Sequence, residues 1–172
     1  MINKKVLLVS LTLALVVSMS YSAFSLSSST FTLRSSGDES NVNSIDIYGA
    51  LSDARVKFSG FHSESKDYGK GSLSLSGKAP NGDRIVLNLR LTETEIVEIT
   101  GDKISIRYSG VGRYYTSGLK PIPISFDNIL YEYNDADGTA DLTADGTIPF
   151  SLENLYSKPY IDNRYFRSDW FR

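Results

Sequence analysis

The chain has 172 residues, one histidine, no cysteine, and 18 basic against 20 acidic side chains, for a formal net charge of −2. Without cysteine there is no disulfide framework, thiol nucleophile, thiolate metal site or cysteine-ligated iron–sulfur cluster. The nearly balanced, slightly acidic charge argues against nucleic acid, or an anionic membrane surface, as a general electrostatic partner.

At the amino terminus, Lys4 and Lys5 precede an apolar run from Val6 to Val17, and Ser18, Ser20 and Ser22 follow it. A basic start, an apolar centre and a small-residue exit form the layout of a secretory signal. The run is also short of the roughly 20 residues that a spanning helix needs. Residues 1–22 are therefore expected to be a helical signal peptide cleaved after Ser22, and the protein is expected to be secreted or to work in the cell envelope. An uncleaved leader would instead hold the chain at the membrane.

Residues 23–44 are serine-rich and read as a linker or mobile arm, with room for a short strand where Phe31 and Leu33 alternate with Thr30 and Thr32. From Ile45 onward the apolar period is two, and turn residues recur at short intervals. Ile45–Tyr48 and Arg55–Phe61 alternate in this way. The clearest unit is a hairpin in which Leu73 and Leu75 face Ile85, Leu87, Leu89 and Leu91 across Ala79-Pro80-Asn81-Gly82-Asp83, with Asn81-Gly82 read as a type I′ turn. A second hairpin joins Glu95–Ile99 to Lys103–Tyr108. Ile122–Phe126, Ile129–Tyr133, Thr139–Thr143 and Thr147–Phe150 supply further strands, and Pro123 marks its own as an edge or bulged one. Residues 45–150 are thus expected to form one all-β domain of about eight to ten short antiparallel strands, either a β-sandwich or a small closed β-barrel. Residues 151–172 break the pattern and read as an aromatic and basic tail.

Few residues suggest chemistry. The loop carrying Asp135, Asp137 and Asp141 around Gly138 offers hard oxygen ligands for calcium. Aligned as an EF-hand, however, it places Tyr133 and Ala144 at ligand positions, and Asp137-Gly138 suits a plain hairpin turn. Ser63-Glu64-Ser65-Lys66 spells a Ser-x-x-Lys pattern but lies between strands, where no helix sets serine and lysine on one face. His62 is read as a strand-end side chain, and Glu93, Glu95 and Glu98 as solvated surface. No cofactor is implied, and an enzyme is not expected.

Two segments suit recognition. Gly110–Gly118 reads as a flexible glycine-rich loop presenting Tyr114 and Tyr115. The tail carries Tyr165, Phe166, Trp170 and Phe171 among arginines, residue types favoured at interfaces. The expectation is an exported domain that binds or assembles with another macromolecule, a surface protein or a glycan, with membrane contact only through an uncleaved leader or the tail. The alternative is a small barrel holding an apolar ligand. Composition leaves the oligomeric state open.

Overall fold

The computed structural model describes residues 30–63, 68–100 and 102–162, with side chains as far as residue 160. The expected signal helix lies outside the described residues. Ten strands form a single sheet: β1 (Thr30–Asp38), β2 (Val42–Ile45), β3 (Ser52–Ser63), β4 (Tyr68–Lys78), β5 (Arg84–Ile99), β6 (Lys103–Thr116), β7 (Ile122–Asn134), β8 (Thr139–Ala144), β9 (Phe150–Ser157) and β10 (Tyr160–Asp162). Going round the sheet the order is β1, β3, β4, β5, β6, β7, β8, β9, and β9 then pairs with β1. Every pairing is antiparallel, so the eight strands make a closed barrel. Of the two architectures that alternation allows, closure selects the barrel. β2 and β10 lie beside the seam, on β9 and β1 respectively.

The period of two explains the filling. Side chains of one parity point inward from each strand, and the inward set is apolar. Leu33, Leu75, Ile85, Leu87, Ile104, Ile106, Ile129, Leu142 and Leu152 are completely buried in one continuous core. Tyr108 and Tyr131 are buried with them, and Phe58 stacks on Tyr131 with ring centroids 4.6 Å apart. The outward set across β3, β4 and the first half of β5 is polar: Arg55, Lys57 and Ser59, Lys70, Ser72 and Ser74, and Asn88, Arg90 and Thr92 are all exposed. Ile96, Val97 and Ile99 at the end of β5 and Val111 on β6 are, by contrast, exposed apolar residues.

The seam is narrow. β1 and β9 share only the pairs Ser35–Ser157 and Ser36–Tyr156. A buried hydroxyl triangle fastens it: Ser35 Oγ lies 3.0 Å from Ser157 Oγ, and the Tyr131 hydroxyl reaches Ser157 at 2.9 Å and Ser35 at 3.2 Å. Tyr131 stands on β7, so its ring crosses the barrel to meet the closing strands.

Several elements differ from the sequence reading. The segment read as a linker contains β1 and most of β2, and the tail contains most of β9 and all of β10, so the barrel extends past residues 45 and 150 on both sides. Ile45–Tyr48 is not a continuous strand: Asp46–Tyr48 forms one 3₁₀ turn, with Asp46 at φ 51° and Gly49 at φ 68°. The β4–β5 turn is centred on Pro80-Asn81, with Gly82 N–H bonded to the Ala79 carbonyl at 2.9 Å. Gly82 alone in that turn has positive φ, 88°. A type I′ turn needs positive φ at both central residues. Proline's φ near −65° instead starts the turn one residue earlier and leaves the left-handed position to Gly82.

The glycine-rich stretch expected as a flexible loop is the end of β6, which runs to Thr116. Its glycines serve close approach: a Cβ on Gly112 would overlap the Asn88 carbonyl oxygen of β5. Likewise, β5 and β7 each join two strands that the sequence had separated. The strand of Pro123, expected to be an edge or bulged one, is β7, which lies between β6 and β8 and has a register shift against β6. β8 pairs only with Ile129–Asn134, so Pro123 has a strand partner on its β6 side alone.

Candidate functional site

The only histidine is inside the barrel. Val56, Phe58, Gly60 and His62 alternate inward along β3, and His62 is 1% exposed. Its ring stacks on Phe31 of β1, with centroids 4.8 Å apart. Nδ1 sits 2.8 and 3.0 Å from the two carboxylate oxygens of Glu93 on β5. Between them, on β4, is Gly69, where a Cβ would overlap the Glu93 carboxyl group. A glycine there lets the carboxylate pass over β4 to reach the imidazole.

Tyr108 pairs with Glu93 across β5 and β6 and is fully buried. Burial, and secondarily the Glu93 charge, pushes its phenol well above the ordinary tyrosine range, so it stays neutral. His62 Nε2 and the Tyr108 hydroxyl have no hydrogen-bond partner among the described residues. With Nδ1 donating to Glu93, the imidazole has the orientation of a base held by a carboxylate. Such a base acts only on a nucleophile or substrate within hydrogen-bond reach of Nε2, and no described side chain fills that role.

Glu93 was expected on the solvated surface, and His62 at a strand end, exposed or hydrogen-bonding along the strand edge. The signal that contradicts this was present: Glu93 continues the odd phase of Leu87, Leu89 and Leu91, and His62 continues the even phase of Val56 and Phe58. The register shifts between Glu93 and Glu95. Glu95 consequently faces out and pairs with Arg107 at 2.7 Å while Glu93 faces in.

The acidic loop forms the β7–β8 hairpin. Asp135 accepts from the Tyr133 hydroxyl at 2.8 Å, Asp137 from Asn134 Nδ2 at 3.1 Å, and Asp141 from the Asn154 N–H at 2.7 Å. Each carboxylate has a different partner. Among the described residues no three acidic or histidine side chains are grouped as a cation would need.

Of the recognition residues, Tyr114 points into the core and donates to Asp46 Oδ2 at 3.1 Å. Burial, with Asp46 next, raises its pKa. Tyr115 faces outward, half-buried and paired with Val86. Adjacent positions on a strand point to opposite faces, so the two tyrosines are not presented together. Tyr165, Phe166, Trp170 and Phe171 lie outside the described residues.

The outer wall carries a pattern that no local motif announced. Arg34, Lys57, Lys70, Arg90 and Arg113 stand exposed on β1, β3, β4, β5 and β6, five successive strands of the barrel. Cross-strand rows link them through neutral residues: Lys57, Ser74, Asn88 and Arg113 form one row, and Arg34, Ser59, Ser72 and Arg90 the next. None of the five has an ion-pair partner among the described residues. The far side is the reverse. Residues 121–157 contain Asp127, Glu132, Asp135, Asp137, Asp141, Asp145 and Glu153 but no lysine or arginine. They cover β7, β8 and β9, and a groove there is lined by Glu98, Glu132, Asp137 and Asp141 together with one basic residue, Lys103 of β6.

Comparison of the chain with protein-family models, curated proteins and solved structures found no match.

Proposed function

We propose that this chain is an exported barrel domain of the secreted or cell-envelope kind, which acts by binding or assembling with another macromolecule and not by catalysis. The observation that carries this reading is the outer wall: a rigid, closed surface on which unpaired charges of one sign are gathered. Preorganised charge of this kind steers and orients a partner. Strand residues hold it with little freedom to lose on binding.

The interior supports the same reading from the other side. Tyr108, Tyr131 and the branched aliphatics fill the barrel, as in small barrels whose lumen is a packed core. That speaks less for an apolar ligand held inside. A membrane barrel turns an apolar band outward all the way round, whereas the two rows across the basic wall are Ser, Asn, Lys and Arg. The aromatic tail residues Tyr165, Phe166, Trp170 and Phe171 are a second surface for the same role.

The test is made in cells producing the full chain. Wild type is expected in the medium or envelope fraction, within complexes larger than the free chain. A variant with Lys57, Arg90 and Arg113 changed to serine should melt as wild type does and migrate as the free chain. Recovery of wild type solely as the free chain, from medium and envelope alike, would overturn the reading.

A further inference from the structure

The two charged walls lie on opposite sides of one molecule: β4, at the middle of the basic arc, and β8, within the acidic arc, are four strands apart in a ring of eight. We infer that the partner of the basic wall is the acidic wall of a second copy of this chain, so that the barrels associate head to tail. The inference rests on the binding reading above and names its partner. Three observations favour a second copy over an unrelated polyanion. The chain is net negative, so a long polyanion meets overall repulsion and would also pass close to the acidic wall. The acidic wall offers a complement matched in kind, because its carboxylates have no ion-pair partner among the described residues and residues 121–157 contain no lysine or arginine. It is also concave where Glu132 and Asp141 face each other across β7 and β8, a shape that accepts long basic side chains such as Lys57 and Arg113.

The symmetry follows from the placement. A two-fold contact puts the same patch on both partners, which here would set lysines against arginines. Joining different patches gives a heterologous contact, which closes into a ring or grows as a filament. The attraction is between exposed charges and should fade as the Debye length shrinks from roughly 14 Å at about 50 mM salt to roughly 4 Å at about 500 mM.

Sedimentation velocity on the purified chain tests this with three preparations: wild type, the Lys57→Ser/Arg90→Ser/Arg113→Ser variant, and an Asp127→Asn/Glu132→Gln/Asp145→Asn variant. Unchanged thermal melting shows that each is folded. Wild type is expected to self-associate at low salt, and about tenfold or more weakly at high salt. Each variant alone should be monomeric. Mixed, they should form a 1:1 dimer and stop, since only one basic and one acidic wall remain between them. Wild type that stays monomeric at low salt, or association indifferent to salt and to both variants, overturns the inference. So does monomeric wild type that binds dextran sulfate through the same three residues. If purified wild type is monomeric yet sits in larger complexes in cells, the second copy is excluded and the binding reading stands. If it is the free chain in both settings, both fall.

Discussion

Glu93 is largely shut off from solvent. Its carboxylate holds His62 Nδ1 inside a barrel lined mostly by hydrocarbon and phenol. Removing it by Glu93→Ala leaves a buried imidazole nitrogen unsatisfied, which costs about 1–3 kcal/mol. Replacing both partners by leucine removes the polar groups together and should recover much of that loss. Urea midpoints of the two single variants and the double variant measure the coupling, and additive losses would show that the contact contributes little. Glu93 and His62 were legible as inward positions from parity alone. Parity lost the argument to residue type, because glutamate and a lone histidine are ordinarily at the surface. What parity could not supply was the pairing: it depends on the register of β3, β4 and β5, and on Gly69 leaving room between them.

At the scale of elements, the β5–β6 hairpin and the β1–β9 seam do the holding. Gly112→Ala should cost about 1–3 kcal/mol or more, because the added methyl meets the Asn88 carbonyl, main chain that cannot move aside without parting β5 from β6. A fall in the melting temperature reads it out. Tyr131→Phe deletes one corner of the seam triangle but leaves Ser35 and Ser157 bonded to each other, so the expected loss is smaller, about 1 kcal/mol. Hydrogen exchange should then quicken first at Ser35 and Ser36, where only two residue pairs close the barrel. A loss spread evenly over all strands would contradict a local seam. Strand positions were largely readable from the alternation, yet their lengths were not. Gly110 and Gly112 looked like a loop because glycine is the common turn residue; here the Ile129 and Leu91 side chains crowd Gly110 and the Asn88 backbone crowds Gly112.

For the whole molecule, the buried tyrosines predict how stability depends on pH. Burial is the leading cause that raises the phenol pKa of Tyr108, Tyr114, Tyr131 and Tyr133 in the folded chain. In the unfolded chain they ionise near 10. The neutral form therefore contributes its full stability below about pH 10, and that contribution is lost as pH rises above it, where only the unfolded chain releases the protons. The urea midpoint should be insensitive to these groups up to about pH 10 and fall beyond it, and absorbance near 295 nm should show two classes of tyrosine. Tyr131→Phe should flatten the fall. A single class titrating near 10 without unfolding would mean that the rings are not buried.

The amino-acid sequence by itself determined that this is an all-β, antiparallel chain, because a period of two with tight turns is a local property that each strand carries alone. Its alternation also marked the inward positions, although at Glu93 and His62 residue type pointed to the surface and the tertiary structure overruled it. Barrel against sandwich was a tertiary decision, since it turns on whether β9 finds β1, a pairing of residues more than a hundred positions apart. The charged walls were decided there too. Arg34, Lys57, Lys70, Arg90 and Arg113 are scattered along the chain and become one surface only when the register of five strands brings them side by side.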